Sequence, residues 1–303
     1  MQDPEALPRS LLAYENPEFL DSADGRIVRI LSEYSEPLAR FRREQIRDTV
    51  VFFGSARFHS RAHVEGMQAE VELLANQGSV ELAPAGELPE EERLAAALSM
   101  AKYYEDARRL AAMHTRWAMG LHAADAGSGH RFVICSGGGP GIMEAANRGA
   151  WEAGGKSIGL NIRLPFEQFP NRYITPELSF DFHYFFMRKF WFAYLARALV
   201  VFPGGFGTLD ELFEILTLAQ TGKLAGNIPV LLYGREYWER VVNIDALVQA
   251  GAVSPRSRDL FTFADTPEDA FALLKDNLSR FHLKAGAPDP GRDHLPEITH
   301  TRK

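Results

Sequence analysis

Leu199-Val-Val-Phe202 runs directly into Pro203-Gly-Gly-Phe-Gly-Thr-Leu-Asp-Glu211. A four-residue apolar run suits a strand covered on both faces, the glycines punctuate it, and Leu209 to about Gln220 continues at helical spacing. The same strand–turn–helix order occurs twice upstream. Thr49-Val-Val-Phe-Phe53 is closed by Gly54-Ser-Ala-Arg57, and Arg131-Phe-Val-Ile-Cys135 by Ser136-Gly-Gly-Gly-Pro-Gly141. Short apolar strands alternating with helices predict an α/β fold, a Rossmann-like doubly wound sheet, mostly parallel, with helices on both faces. Ligands of such sheets bind beyond the carboxyl ends of the strands, where all three turns fall.

Outward from these turns, the chain divides into three parts. Residues 1–24 lack apolar periodicity and read as a loosely ordered arm, whereas Ile27, Ile30, Leu31, Tyr34, Leu38 and Phe41 have the spacing of one helical face. This N-terminal helical extension, residues 1–48, must dock on the core or on a second subunit. The α/β domain is expected over 49–280, with a helical insertion at 58–102, and the Pro-, Gly- and charge-rich tail 281–303 is expected to be disordered. Within the domain, helices are predicted from about Ala62 to Ala124 with a break near Pro84–Pro89, at Ile142–Ala153, about Tyr184–Ala196, Glu236–Gln249 and Pro267–Leu278. Further strands are predicted at Ser157–Ile162, Leu178–Phe182, Pro229–Tyr233 and Leu260–Phe263.

Composition narrows the function classes. A net charge of −7 over 303 residues disfavours a nucleic-acid partner, which calls for a basic surface. The one cysteine, Cys135, rules out an intramolecular disulfide and fits a reducing compartment. No apolar run approaches the roughly 20 residues of a membrane span, and Met1–Leu20 carries prolines and acids where a signal peptide needs apolar residues. The expectation is a cytoplasmic protein with no membrane partner.

Gly137, Gly138, Gly139 and Gly141 let backbone N–H groups approach an anion at a helix start, and Pro140 suits a first helical turn. The rival motifs fail. A dinucleotide fingerprint needs glycine where Ile142 stands, no acid closes the strand at Ile162, and no Gly-Lys-Ser/Thr triplet follows either turn. In the other turn, Gly204, Gly205 and Gly207 precede Thr208-x-x-Glu211, which has the form of a capping box. Phosphate binding leaves N–H groups free at that helix start, while a capping box occupies them.

Together, Ser136-Gly-Gly-Gly-Pro-Gly-Ile-Met143 and Pro203-Gly-Gly-Phe-Gly-Thr-Leu-Asp-Glu211 resemble the two signature motifs of the LOG ("Lonely Guy") family, nucleotide 5′-monophosphate phosphoribohydrolases often mislabelled lysine decarboxylases. Phe185-Phe-Met-Arg-Lys189 resembles the family's Met-His-x-Arg-Lys segment at the same spacing before the second motif, with Phe186 where the family has His. The resemblance implies a homodimer that hydrolyses the N-glycosidic bond of a nucleoside monophosphate such as AMP, without metal or cofactor. It implies Arg188 and Glu211 as the catalytic pair and Gly204 to Thr208 as the phosphate-binding turn, with Thr217 further along that helix. Gly54, Ser55, Glu144, Lys189 and Asp210 join the glycines as expected substrate-binding residues. A related molybdenum-cofactor carrier shares the fold and glycine loops, so a non-catalytic carrier is the alternative, and an effector site in 58–102 is a third.

Other residues read more plainly. The aromatic cluster Phe180, Phe182, Tyr184, Phe186, Phe190, Trp191 and Phe192 is expected to be core or subunit interface around Arg188. His59 and His63 are expected to share a helical face, but without a third ligand they make no metal site. Lys189 lacks the neighbours that pyridoxal chemistry needs.

Overall fold

Residues 9–76, 89–124, 127, 129–164, 169–223 and 228–283 are described by a computed structural model. Seven strands form one sheet: β1 Thr49–Phe53, β2 Val133–Ser136, β3 Ser157–Ile162, β4 Ser179–Phe182, β5 Ala196–Val201, β6 Val230–Tyr233 and β7 Thr262–Ala264. Their order is β4-β3-β2-β1-β5-β6-β7 and every pairing is parallel. The chain runs outward to one edge from β1, then returns to β1's other side with β5. The reversal between β1 and β5 is where the loops at the carboxyl ends diverge and leave a crevice.

Both faces of the sheet are covered. One carries α2 Arg26–Arg43, α6 Phe185–Tyr194, α7 Phe206–Gln220 and α8 Arg235–Val241, around a core that includes Phe53, Leu199, Trp191, Phe192, Leu212 and Trp238. The other carries α4 Glu90–Ala124, α5 Ile142–Glu152 and α10 Pro267–His282, around Phe52, Phe132, Ile142, Val200 and Phe202. All residues of β1 and β5 are consequently buried, which is why their sequences are continuous apolar runs rather than alternating ones.

The N-terminal extension is built into the first layer. Pro37 inside α2 has no N–H to give the Glu33 carbonyl one turn back, and the indole Nε1 of Trp191 on α6 donates to that carbonyl at 2.8 Å instead. The Glu33 carboxylate accepts from the amides of His183 (2.7 Å) and Tyr184 (3.3 Å), so it caps a helix that has no side-chain cap of its own. Thus α2 fixes the start of α6, the helix that carries Arg188.

Several expected boundaries move. The arm contains a short helix, α1 Pro17–Asp21, whose start is capped by Asn16. On α2, Ile30, Tyr34 and Leu38 pack on the core and Phe41 is buried, but Ile27 and Leu31 are exposed. Helix α3, Arg61–Asn76, packs on α4, which buries one face through Ala101, Tyr104, Ala107, Leu110 and Ala111. Residues 77–88, where most of the expected break falls, lie outside the described ones. His59 precedes α3, so it shares no helical face with His63, although their rings lie 4.6 Å apart. Pro140 also lies outside its helix, because α5 starts at Ile142 with Gly141 as N-cap. α6 ends at Tyr194, and β5 begins by Ala196.

The helix expected over Glu236–Gln249 is two, α8 and α9 Ile244–Gln249, because Asn243 breaks the run and its side chain caps α9 by accepting from Ala246 N at 2.8 Å. Pro255–Leu260 is a 3₁₀ segment, which delays β7 to Thr262. Helix α10 continues to His282, past the expected start of the tail; residues 284–303 lie outside the described ones.

Candidate active site

The turns after β1, β2 and β5 come from three neighbouring strands and are laced together by Ser55. Its amide donates to the Pro203 carbonyl at 3.1 Å, and its carbonyl accepts from Ile142 N at 3.0 Å. The packing explains several glycines. A Cβ on Gly54 would lie 2.6 Å from Ile142 Cγ2, one on Gly141 (φ +68°) would meet the Ser55 carbonyl, and one on Gly204 would meet Thr208 Oγ1 and lie 2.9 Å from the Ser55 amide. Ser55 is therefore occupied with structure: its hydroxyl also accepts from Arg57 N at 3.1 Å.

The first glycine turn is held from below by polar side chains. Ser136 Oγ accepts from Gly138 N (3.1 Å) and donates to Asn147 Oδ1 (2.7 Å), and Asn171 Nδ2 donates to the carbonyls of Gly138 (3.0 Å) and Gly139 (3.1 Å). Gly138, at φ +74°, leaves room for the Asn161 side chain. Part of this turn's donor capacity is thus spent internally. Asn147, Asn161 and Asn171 escape notice in the sequence, since an isolated Asn gives no motif.

The second turn differs. Helix α7 begins at Phe206 with Gly205 as N-cap and no side-chain cap, so Thr208 is the third helical residue and the capping box is not formed. The first intrahelical donor is Leu209 N, to the Gly205 carbonyl, and the amides of Gly205, Phe206, Gly207 and Thr208 find no partner within the described chain. Of the two readings open for this turn, the Thr208–Glu211 capping box is the one not formed, because the helix starts three residues earlier than that box requires. Thr217, nine residues beyond Thr208 and so about 14 Å along α7, donates to Phe213 O and stands apart from the turn of its own chain.

Arg188 lies beneath the first turn. Its Nε donates to the Leu160 carbonyl at 2.8 Å, its guanidinium carbon lies 5.2 Å from the Phe192 ring centroid, and a Cβ on Gly137 would come within 2.6 Å of Nη2. Burial weighs against its charge and Glu211 supports it. Glu211 is half-buried. Burial raises its pKa to about 7 despite the charges of Lys189 and Arg188, with Glu214 and Asp210 adding to the rise. No ion pair within 4.0 Å joins Arg188 and Glu211, a half-buried cation and a half-buried carboxylate whose pKa is raised to about 7.

Lys189 and Asp210, both expected to bind substrate, lie paired with each other. Lys189 Nζ pairs with Asp210 Oδ2 at 2.7 Å and Glu214 Oε2 at 2.6 Å. Burial works against its charge, but the two carboxylates more than offset this and raise its pKa. A Schiff-base lysine needs the opposite, a neutral amine. Glu144 does not cap α5 and accepts from the Tyr104 hydroxyl at 2.7 Å, on the α4 side of the sheet. Of the aromatic residues around Arg188, Phe180, Phe182, Tyr184, Trp191 and Phe192 are core, Phe190 packs against it, and Phe185 and Phe186 are exposed, as is Phe206 in the second turn.

A family model described as "Possible lysine decarboxylase" matches residues 143–274. The cytokinin riboside 5′-monophosphate phosphoribohydrolase LOG1 of Arabidopsis thaliana is 31% identical over 156 residues, 49% of this chain and 69% of that protein. The chain belongs to the LOG family. The probable cytokinin riboside 5′-monophosphate phosphoribohydrolase LOGL3 of Oryza sativa subsp. japonica is 27% identical over 154 residues, covering 48% of this LOG chain and 68% of its own. Among solved structures, the Moco carrier protein from Chlamydomonas reinhardtii aligns with 77% of this chain and 99% of its own at 18% identity and a TM-score of 0.41. No described helix of this LOG protein is long and apolar enough to cross a membrane.

The lacing of the turns in this LOG chain gives a first prediction. Gly204→Ala places a methyl against Thr208 Oγ1 and the Ser55 backbone, so one turn must shift, at a cost of about 1–3 kcal/mol. Calorimetry with ribose 5-phosphate is expected to show binding weakened by about five- to 150-fold, the factors to which 1 and 3 kcal/mol correspond. Unchanged affinity would show that the turn's packing is irrelevant to the ligand.

Proposed function

We propose that this protein hydrolyses the N-glycosidic bond of a nucleoside 5′-monophosphate, releasing the free base and ribose 5-phosphate. The observation that carries the reading is the uncapped start of α7, four unpaired amides one turn before a carboxylate whose pKa is near 7. Those amides and the helix dipole suit a phosphate. Gly205 and Gly207 add to this: among the described residues a Cβ at either would meet nothing within 4 Å, so packing does not demand glycine there, whereas close approach of a phosphate would. The family relatives' activity on a riboside monophosphate supports the same reading.

The chemistry follows from the geometry. As the bond from C1′ to the base nitrogen lengthens, positive charge grows on the sugar, an oxocarbenium-like state. Ionised Glu211 stabilises that charge and orients, then deprotonates, the water that attacks C1′. The base nitrogen leaves with the bonding pair, and the proton Glu211 gains passes to it, directly or through solvent, which completes the free base and restores the carboxylate. Arg188, pinned by Leu160 and Phe192, offers its remaining guanidinium N–H groups to the phosphate or to the departing base. The phosphate acts as a handle whose binding energy holds C1′ against Glu211. Phe186 in the family's His position argues against assuming a cytokinin base, and AMP is the substrate to try first. We take the working unit to be a cytoplasmic homodimer, in line with the exposed Phe185, Phe186 and Phe213 on α6 and α7 and the single buried thiol.

The test is base release from a panel of nucleoside monophosphates, followed by chromatography. Release of one base, with ribose 5-phosphate in equal amount, is the expected result and names the substrate. Binding of nucleotide with no release from any member of the panel would replace the enzyme with a nucleotide or cofactor carrier.

A further inference from the structure

The peptide between Gly204 and Gly205 is the most mobile link of the second turn by composition, because neither flanking residue has a side chain to fix it. In the structure it is tethered at one atom. Tyr237 Oη donates to the Gly204 carbonyl at 2.8 Å, reaching from α8, which follows β6, the strand next to β5. Tyr237 is half-buried and its ring stands edge-on to Trp238, with centroids 5.3 Å apart, so the hydroxyl is delivered by a packed side chain. Among the described residues every peptide bond is trans. In a trans peptide the N–H lies antiparallel to the preceding carbonyl, so holding the Gly204 carbonyl towards Tyr237 turns the Gly205 N–H away from it.

That N–H is the first of the four unpaired amides at the start of α7. We propose that Tyr237 is a positioning residue for the phosphate-binding turn, setting the Gly205 amide through the Gly204 carbonyl without touching the ligand. The inference rests on the phosphate-binding part of the proposed function. Glycine on both sides of the peptide allows close approach of a phosphate, and Tyr237 supplies the rigidity that glycine removes.

Tyr237→Phe tests it, since the ring and its packing on Trp238 stay. Calorimetry with ribose 5-phosphate is expected to show Kd raised about three- to tenfold, the effect of one neutral hydrogen bond, while the Kd of free adenine is unchanged. With AMP, KM is expected to rise by a similar factor and kcat to stay within about twofold. In the wild type, titration with ribose 5-phosphate is expected to shift the Gly205 amide resonance. Equal ribose 5-phosphate affinity in the two proteins, equal losses for ribose 5-phosphate and adenine, or a Gly205 amide that does not respond would each overturn the proposal. Because ribose 5-phosphate binding needs no turnover, a Tyr237-dependent Kd in a protein that hydrolyses nothing would leave this inference standing and remove the hydrolase.

Discussion

Glu211→Gln is expected to lower kcat for nucleotide hydrolysis by about 10²- to 10⁴-fold, the range of a positioned acid–base group, while nucleotide affinity changes only a few-fold. The amide keeps the size of the side chain and loses the charge and the proton acceptor. The pH profile adds a second signature. Glu211 is protonated below about 7 and ionised above it, and the mechanism needs the ionised form, so wild-type kcat/KM should rise with pH through about 7. A bound phosphate adds negative charge close by and pushes that pKa up further, so the limb in kcat should lie at higher pH than the limb in kcat/KM. Near-normal turnover by Glu211→Gln, or the same limb in its residual activity, would remove Glu211 from the mechanism.

The same residue links activity to stability. A carboxyl group whose pKa is raised from 4.5 to about 7 on folding binds protons more tightly in the native state. Its contribution is therefore fully present below pH 4.5 and is lost as pH rises through 7. Above that pH the ionised, half-buried carboxylate costs at most about 3 kcal/mol, 1.36 kcal/mol per pKa unit, and solvent access reduces the figure. Glu211→Gln should unfold at a higher temperature than wild type at pH 8, with the difference vanishing near pH 4.

Arg188→Ala is expected to lower kcat/KM by about 10²- to 10³-fold, as for the loss of a preorganised donor at a developing charge. It also removes a cation that favours ionised Glu211, so the acid limb of the residual activity should move to higher pH. Arg188→Lys separates the effects. It keeps a positive charge, and with it most of the position of the limb, but lacks the planar fork held between Leu160 and Phe192. Its rate should stay well below that of wild type. Wild-type rates in Arg188→Lys would reduce Arg188 to a point charge, and an unmoved limb in Arg188→Ala would show that the two residues are not coupled.

The fold was legible because the five inner strands β1, β2, β3, β5 and β6 are buried on both faces and are therefore mostly apolar. Phe132-Val-Ile-Cys135 and Leu199-Val-Val-Phe202 stand out against their flanks for that reason, whereas the start of β5 at Ala196 and Arg197 does not. The split of the helix near Asn243 and the start of β7 were harder, because both turn on local capping and a 3₁₀ segment rather than on apolar spacing. The glycine turns could be read as backbone meant for close approach, and Arg188 and Glu211 were named from the motifs around them.

Sequence by itself determined the strand–turn–helix order, the three turns at the carboxyl ends, and the residue types available there. Tertiary structure alone decided how those residues are used. Thr208 and Glu211 have the spacing of a capping box, yet α7 begins at Phe206, just after the Pro203 and Gly204 carbonyls that Ser55 and Tyr237 hold. Lys189 has the look of a ligand and is claimed by Asp210 and Glu214 across a helix pair. The Asn147 and Asn171 network under the first turn and the Tyr237 hydroxyl under the second come from segments up to 33 residues distant. A hydrogen bond depends on an approach of about 3 Å. Such an approach is fixed by the packing of whole elements, and no local pattern of residues records it.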